Sequence, residues 1–467
     1  NACLFLFPFF IIMFLSVTSY EWNNAKCDKY DYMIAAFCGG IAGLVDVFFV
    51  GDPLNSVLGK NVDKAADGFV KKAAQFFWKN DQRTTGKSKK MPESLEQCIS
   101  YLEQAFPVNY DARYAKDLDV EEGVLKGMRP GNHHLLSLAH SPDPIGLIFS
   151  IIDQFMGYAS FVDNGKIIHV IPKKTSNAIP YLQGTNLISM LFCGFVNWIG
   201  HIISDFVGSS NTRSAGKTGR GAGIPIPFYE LFLLCDFGNF DGKTLAETMV
   251  EVFEEGYDAR FGITMAIPVV MNELMIKVIW MIRQKFIRGK TWKESIPTQK
   301  HADLRIMLIV GDATLCVIDG TEAAIQGISK GNIVSFICHL NLVGWTRLIL
   351  LVLKELRIRL GSVMGDIVNR FFNEMMEEIL TPAEKQRIRD FYSRLNAYDQ
   401  QLAVLFSEFV AQIEKEYREL YAEIDATFDE QKSIEERADH SVKLAQISGV
   451  SDDRIVKSIS ELDDLFG

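Results

Sequence analysis

The sequence predicts a mainly α protein: a multi-helix, membrane-embedded bundle with one small β-hairpin and an acidic helical extension at its C-terminal end. Three observations predict it. Apolar runs recur at 32–50, 144–157, 186–207, 224–238, 262–282, 304–318 and 333–353 of the 467 residues, and several approach the ~20 residues that cross a bilayer. Hydrophobic residues make up 48%, Phe alone numbers 33, and the mean hydropathy is +0.08, as expected for apolar helices joined to a polar part. The net charge of −10 is concentrated after Met364, where 23 acidic residues face 12 basic ones. An acidic balance argues against nucleic acid as a partner.

Residues 1–30 contain a short apolar segment at 4–16 that reads as a signal-peptide core or anchor, or as an artefact of where the chain starts. Residues 31–362 form the apolar helical domain. Within it, the runs at 262–282 and 333–353 carry basic flanks, Arg283, Lys285, Arg288 and Lys290 for the first and Lys354, Arg357 and Arg359 for the second. Such flanks mark a cytoplasmic side. Lys79–Met91 is polar and basic and reads as a loop. Pro92-Glu93-Ser94-Leu95 opens an amphipathic helix to Phe106. Tyr158–Val162, a turn at Asp163-Asn164-Gly165, and Lys166–Ile171 read as a hairpin, since Asn-Gly between apolar runs is a strong turn signal.

Residues 363–467 change character. Phe371, Met375 and Ile379, then Leu402, Leu405, Phe409, Ile413, Tyr417, Leu420 and Ile424, recur at helical spacing among charges. This is a solvated helical hairpin or short coiled coil, a candidate for self-association or a protein partner through 364–440. Ser451-Asp452-Asp453 starts a last helix to Phe466. The eight cysteines are scattered with no Cys-x-x-Cys pair, so they read as free thiols.

Charged residues inside the apolar runs need partners. His201 and Asp205 are four apart, so a helix places them on one face, where they can share a metal ion or simply hydrogen-bond each other. Gly131–Pro144 holds His133, His134, His140 and Asp143, three of the eight histidines, just before an apolar helix. Asp46 sits near the end of the first run as a candidate ligand, a helix cap or a buried hydrogen-bonding group. His134, His140, His201, Asp205 and Asp46 are the primary candidate ligands, with His133 and Asp143 secondary. Mixed imidazole and carboxylate donors suit Zn²⁺, Mn²⁺ or Fe²⁺. Gly216-Lys217-Thr218 lacks the earlier glycine of a phosphate loop, because Asn211 stands there. Lys217 and Arg220 remain candidate contacts for an anionic substrate group.

The order Asp46, then His134 to His140-Ser141, then His201-x3-Asp205, then Gly223-Ile224-Pro225-Ile226-Pro227 resembles the LexA-regulated, membrane-bound metal-dependent hydrolases of bacteria. The resemblance covers four patches. This chain has one extra residue between His134 and His140, a reduced aspartate turn and an added acidic tail. What the resemblance implies is a metal-dependent hydrolase of the bacterial inner membrane; it does not carry a substrate, and it is the position of the site at a membrane face that suggests a lipid or phosphoester substrate. The alternative is a non-catalytic integral membrane protein whose cytoplasmic helical tail binds a partner.

Overall fold

A computed structural model describes residues 27–81, 90–106, 133–156, 158–163, 166–170, 187–208, 222–227, 229–234, 239–240, 242–360, 382–458 and 461. The fold is mainly helical with a two-stranded hairpin, as the apolar periodicity predicts. The 4–16 segment, Lys217, Arg220 and the 371–379 stripe lie outside the described residues.

α1 (Lys29–Val45) opens with a capping box in which Asp28 accepts from the Asp31 backbone and Asp31 reaches back. It continues as a wider turn, Asp46–Val50, and stops at Gly51, whose φ of +56° a side chain would oppose. α2 (Val57–Asn80) overruns the expected loop start at Lys79. Its Ser56 cap accepts from Gly59, and the helix propagates to the first residues of the basic stretch. α3 (Leu95–Ala105) begins at the expected Ser94, which forms a capping box with Gln97.

After the short α4 (His133–Leu136) comes α5 (Pro144–Met156). The hairpin is β1 (Ala159–Asp163) and β2 (Lys166–Val170), antiparallel with Phe161 opposite Ile168. Its expected boundaries hold to within a residue. α6 (Leu187–Asp205) carries the run at 186–207. The run at 224–238 is not a long helix. Pro225 and Pro227 stand in irregular backbone and a 3₁₀ turn follows at Tyr229–Leu234, because proline removes the donors a helix needs. α7 (Leu245–Glu254), α8 (Ala259–Ile282), α9 (Ala302–Lys330), α10 (Ile333–His339) and α11 (Leu342–Leu360) complete the apolar part. α12 (Pro382–Glu416), α13 (Arg418–Phe428) and α14 (Ile434–Ile447) follow. At Ser451 only a 3₁₀ turn, Asp452–Arg454, is described in place of the expected helix start.

α1, α8, α9 and α11 pack against one another. The closest crossing is set by glycine. A Cβ on Gly39 would lie 2.1 Å from the Gly311 carbonyl oxygen, and one on Gly43 would press on Ile318. Gly39-x3-Gly43 is thus a small-residue seam of the kind that lets helix backbones touch. Two helical segments, Lys29–Val50 and Ala259–Ile287, are long and apolar enough to cross a membrane. Ile333–His339 with Leu342–Leu356 would make a third, broken at 69°. Their outer faces leave Phe37, Phe48, Val270, Leu274 and Phe286 exposed.

The second packing unit surrounds the histidines. α3 packs on α2 and α6, and α5 on α6. Leu136, Phe149 and Phe161 share a core with Leu395 and Tyr398 of α12. Phe409 and Ile413 of α12 and Leu420 of α13 pack with Ile152 of α5. The described part of the acidic region's apolar stripe, Leu402 to Ile424, is therefore buried or half-buried against the rest of the chain.

Candidate metal centre

Within the histidine-rich segment, residues 133–141 and Asp143 are buried. Ser137 pairs with Phe161 of β1, which pins the link between α4 and the 3₁₀ turn Leu138–His140 to the hairpin. Asp143 then caps α5: its Oδ1 accepts from the Gly146 amide at 3.0 Å. A Cβ on Gly146 would sit 1.9 Å from the Ser141 carbonyl oxygen, so only glycine lets the helix start against the turn that carries His140.

α6 supplies His201 and Asp205 one turn apart, and both are buried. Gly200 makes the approach feasible, since a Cβ there would lie 2.2 Å from the Phe106 ring. Phe106, just past α3, receives a hydrogen bond on its carbonyl oxygen from His201 Nδ1 at 2.9 Å. A carbonyl only accepts, so His201 Nδ1 carries a hydrogen. Its neutral tautomer then presents a bare Nε2 lone pair inward. This is how a backbone carbonyl orients a ligating imidazole.

Three imidazoles face one oxygen. Asp205 Oδ2 lies 3.3 Å from His134 Nδ1, 3.5 Å from His140 Nε2 and 3.2 Å from His201 Nε2. His140 Nε2 and His201 Nε2 are 3.0 Å apart, and His140 Nδ1 meets Ser137 Oγ at 2.8 Å. Donors about 2.0–2.1 Å from one tetrahedral ion sit about 3.3 Å from each other. The observed spacings match that figure. His133, His134, His140 and Asp205 each offer a ligand atom, all within 4.8 Å of one another; His201 falls outside that four-residue set and adjoins it through His140 Nε2 at 3.0 Å and Asp205 Oδ2 at 3.2 Å. Among the described residues, neither ring nitrogen of His134 nor Asp205 Oδ2 makes a well-aligned hydrogen bond, although His134 Nδ1 and Asp205 Oδ2 lie 3.3 Å apart, within ion-pair distance. Buried polar atoms normally find partners, so a bound cation would complete this set. The donor chemistry therefore fits a divalent metal.

Without an ion, the electrostatics favour a charged Asp205 beside a protonated His201, a proton that a metal would displace. Burial pushes the Asp205 carboxyl up, but the imidazoles of His201 and His134 outweigh it and hold the carboxyl well below the usual range. Burial pushes His140 well down, with Asp205 opposing. Burial also lowers His201, but Asp205 wins and the net direction is upward.

The structure brings together His134, His140, His201 and Asp205, and it adds His133, read as secondary. Two expected ligands are placed elsewhere. Asp46 is a correction. It stands outside the four-residue group, and its Oδ1 accepts from Asn341 Nδ2 at 2.6 Å. Its carboxyl also meets that of Asp319. The reason is the glycine seam, which draws α1 onto α9 and delivers Asp46 to the break between α10 and α11. Asp143 is also outside the group, serving as the cap of α5. The other charges within the runs also find partners: Asp153 accepts from Ser160 N at 2.9 Å, and Glu273 pairs with Lys277 at 2.7 Å and Arg347 at 2.5 Å. Unforeseen were the orienting roles of Phe106 and Gly200, and Glu230, whose Oε2 lies 3.2 Å from Ser141 Oγ. Cys3 and Cys235 lie outside the described residues, while Cys27, Cys38, Cys98, Cys193, Cys316 and Cys338 are free thiols, as expected. Comparison with family models, curated proteins and solved structures finds no match to this chain.

Proposed function

We propose that the chain is a membrane-associated, metal-dependent hydrolase centred on His133, His134, His140, His201 and Asp205. The observation that carries this reading is the convergence of His140 Nε2, His201 Nε2 and Asp205 Oδ2 within 3.0–3.5 Å of one another in a buried site. Imidazole-rich donors with one carboxylate favour Zn²⁺, Mn²⁺ or Fe²⁺. An ion held there supplies Lewis acidity toward a phosphoryl or acyl oxygen and acidifies water.

The chain's own residues do the rest. Phe106 fixes the tautomer of His201, and Ser137 orients His140. Asp205 balances charge, and burial keeps bulk solvent away. The exposed apolar faces of Lys29–Val50 and Ala259–Ile287 support membrane association and a lipid or phosphoester substrate. The chain order of the histidines and Asp205 supports the family resemblance. The partner-binding alternative is less favoured, because α12 spends Leu395, Tyr398 and Phe409 on internal cores.

Metal analysis of the purified full chain tests the reading. Stoichiometric metal is expected, lost in His201→Ala and in His140→Ala. A metal-free wild-type protein with an intact fold overturns it.

A further inference from the structure

The apolar bundle encloses a polar pair in a different packing unit from the histidines. Asn272 stands near the middle of the segment Ala259–Ile287, and Asp312 meets it from α9. Asn272 Nδ2 donates to Asp312 Oδ1 at 2.7 Å. Gly311 seats the amide, because a Cβ there would lie 2.9 Å from its Nδ2 and 3.0 Å from its Oδ1. Both side chains are fully buried. Yet Asn272 Oδ1 and Asp312 Oδ2 make no hydrogen bond among the described residues. With Asp312 ionised, both orphaned atoms are acceptors and neither can serve the other. A proton on Asp312 Oδ2 turns one of them into a donor and answers both. The nearby basic groups are engaged elsewhere, since Lys277 and Arg347 both pair with Glu273. A neutral acid is also far cheaper than a carboxylate inside an apolar bundle.

A polar file leads away from this pair. Two turns along α9, Asp319 is buried, and its oxygens accept from the Asn341 backbone at 2.9 Å and from Trp345 Nε1 at 2.7 Å. The same Asn341 donates through Nδ2 to Asp46, near the end of the segment Lys29–Val50. Asn341 itself stands in the break between Ile333–His339 and Leu342–Leu356. Broken helices at membrane depth line polar interiors, not lipid. Cys316 lies on the same face of α9, one turn from Asp312 and one from Asp319, and is buried. A thiol both donates and accepts.

We propose that Asn272 and Asp312 form a proton-binding site in the middle of the apolar bundle, joined through Cys316, Asp319 and Asp46 into a relay that reaches the end of the first segment. In the loaded state Asp312 Oδ2–H donates to Asn272 Oδ1. On release the O–H bond breaks and its electron pair stays on Asp312. The Cys316 thiol takes this proton as it gives its own to the Asp319 carboxylate, and Asp46 is the next acceptor. The negative charge moves from one aspartate to another, and no further reactant is needed. The relay goes beyond the hydrolase reading and shares no residue with the histidine centre.

The test is infrared spectroscopy of the full-length protein in lipid, on transfer from water to heavy water. Wild type is expected to show the carbonyl stretch of a buried protonated carboxyl, shifted by deuterium, and Asp312→Asn is expected to lose it. Asparagine keeps the shape of the protonated acid and can donate to Asn272 Oδ1, so this variant retains the fold. Asp319→Asn and Cys316→Ala are expected to keep the band but exchange at least tenfold more slowly. His201→Ala is expected to change neither the band nor its exchange, so the relay and the histidine centre fail separately. A wild-type spectrum with no band that depends on Asp312 overturns the site. An Asp312 band that exchanges at the wild-type rate in both Asp319→Asn and Cys316→Ala overturns the relay and leaves Asp312 as a structural acid.

Discussion

His140 and His201 are 61 residues apart in sequence, yet their Nε2 atoms meet at 3.0 Å. Two bare imidazole nitrogens at that distance repel unless a proton or a metal lies between them. The backbone carbonyl of Phe106 removes the freedom of His201 to turn its hydrogen inward. The arrangement is thus fixed by the chain's own contacts.

Gly200→Ala tests this preparation. The new Cβ would lie 2.2 Å from the Phe106 ring, so Phe106 has to move and its carbonyl leaves His201. Losing such an outer hydrogen bond weakens metal affinity about 10–100-fold, and overpacking destabilises by about 1–3 kcal/mol. Metal titration and thermal unfolding read the two effects separately. Unchanged metal affinity would refute the orienting role of Phe106.

Asp46→Ala separates the corrected residue from the centre. Metal content is expected to equal that of wild type. Stability is expected to fall by about 1–3 kcal/mol, because Asn341 Nδ2 loses a buried acceptor. Loss of metal with an intact fold would return Asp46 to the ligand set.

Stability of the metal-free protein is expected to depend on pH through Glu230. Its folded carboxyl titrates near 8, above the unfolded value of about 4.3. Between those values the folded state holds the extra proton, so stability is full below the unfolded value and is lost as pH rises toward 8. Among the described residues, the groups that act on Glu230 are Asp143 and Ser141, and neither is a cation. Glu230→Gln is expected to flatten this part of the curve of melting temperature against pH. Asp153, pushed up to about 8 by burial, leaves a remaining slope of the same sign that Asp153→Asn removes.

Leu274→Arg tests the apolar rim. Leu274 is 56% exposed on a helix long enough to span a bilayer. A lipid-facing site at mid-span penalises arginine by roughly 2.5–3.5 kcal/mol, whereas a watered surface tolerates it within about 0.5 kcal/mol. Comparing membrane-integrated yield of Leu274→Arg with wild type distinguishes the two. An unaffected yield would count against a bilayer around α8.

Gly39→Leu is expected to break the bundle. The side chain would meet the Gly311 carbonyl at a separation no packed atom adopts. Detergent-extracted protein should unfold at lower temperature than wild type, and Gly40→Leu, facing open space, should not.

Much of the centre was legible from residue spacing. His201 and Asp205 share a helical face wherever that helix packs, and histidines preceding an apolar helix arrive together because the chain is short there. Asp46 was not legible. Chain order says nothing about which apolar run crosses which, and the crossing that carries Asp46 away depends on Gly39 and Gly311, whose meaning appears only when two helices touch. Glu230 was hidden for a similar reason: Pro225 and Pro227 break the run that holds it, so helical periodicity could not place it. The buried stripe of α12 was visible as a period, but the period alone does not name its partner.

Leu395 and Tyr398 close a core whose other walls, Leu136, Phe149 and Phe161, are synthesised far earlier. A ribosome adding about 5–20 residues per second leaves that core open for tens of seconds. Maturation of the histidine neighbourhood therefore waits for the synthesis of α12. A nascent chain that stalls before α12 exposes Phe149 and Phe161 to proteases and to aggregation, and α12 acts as the latch that closes this core.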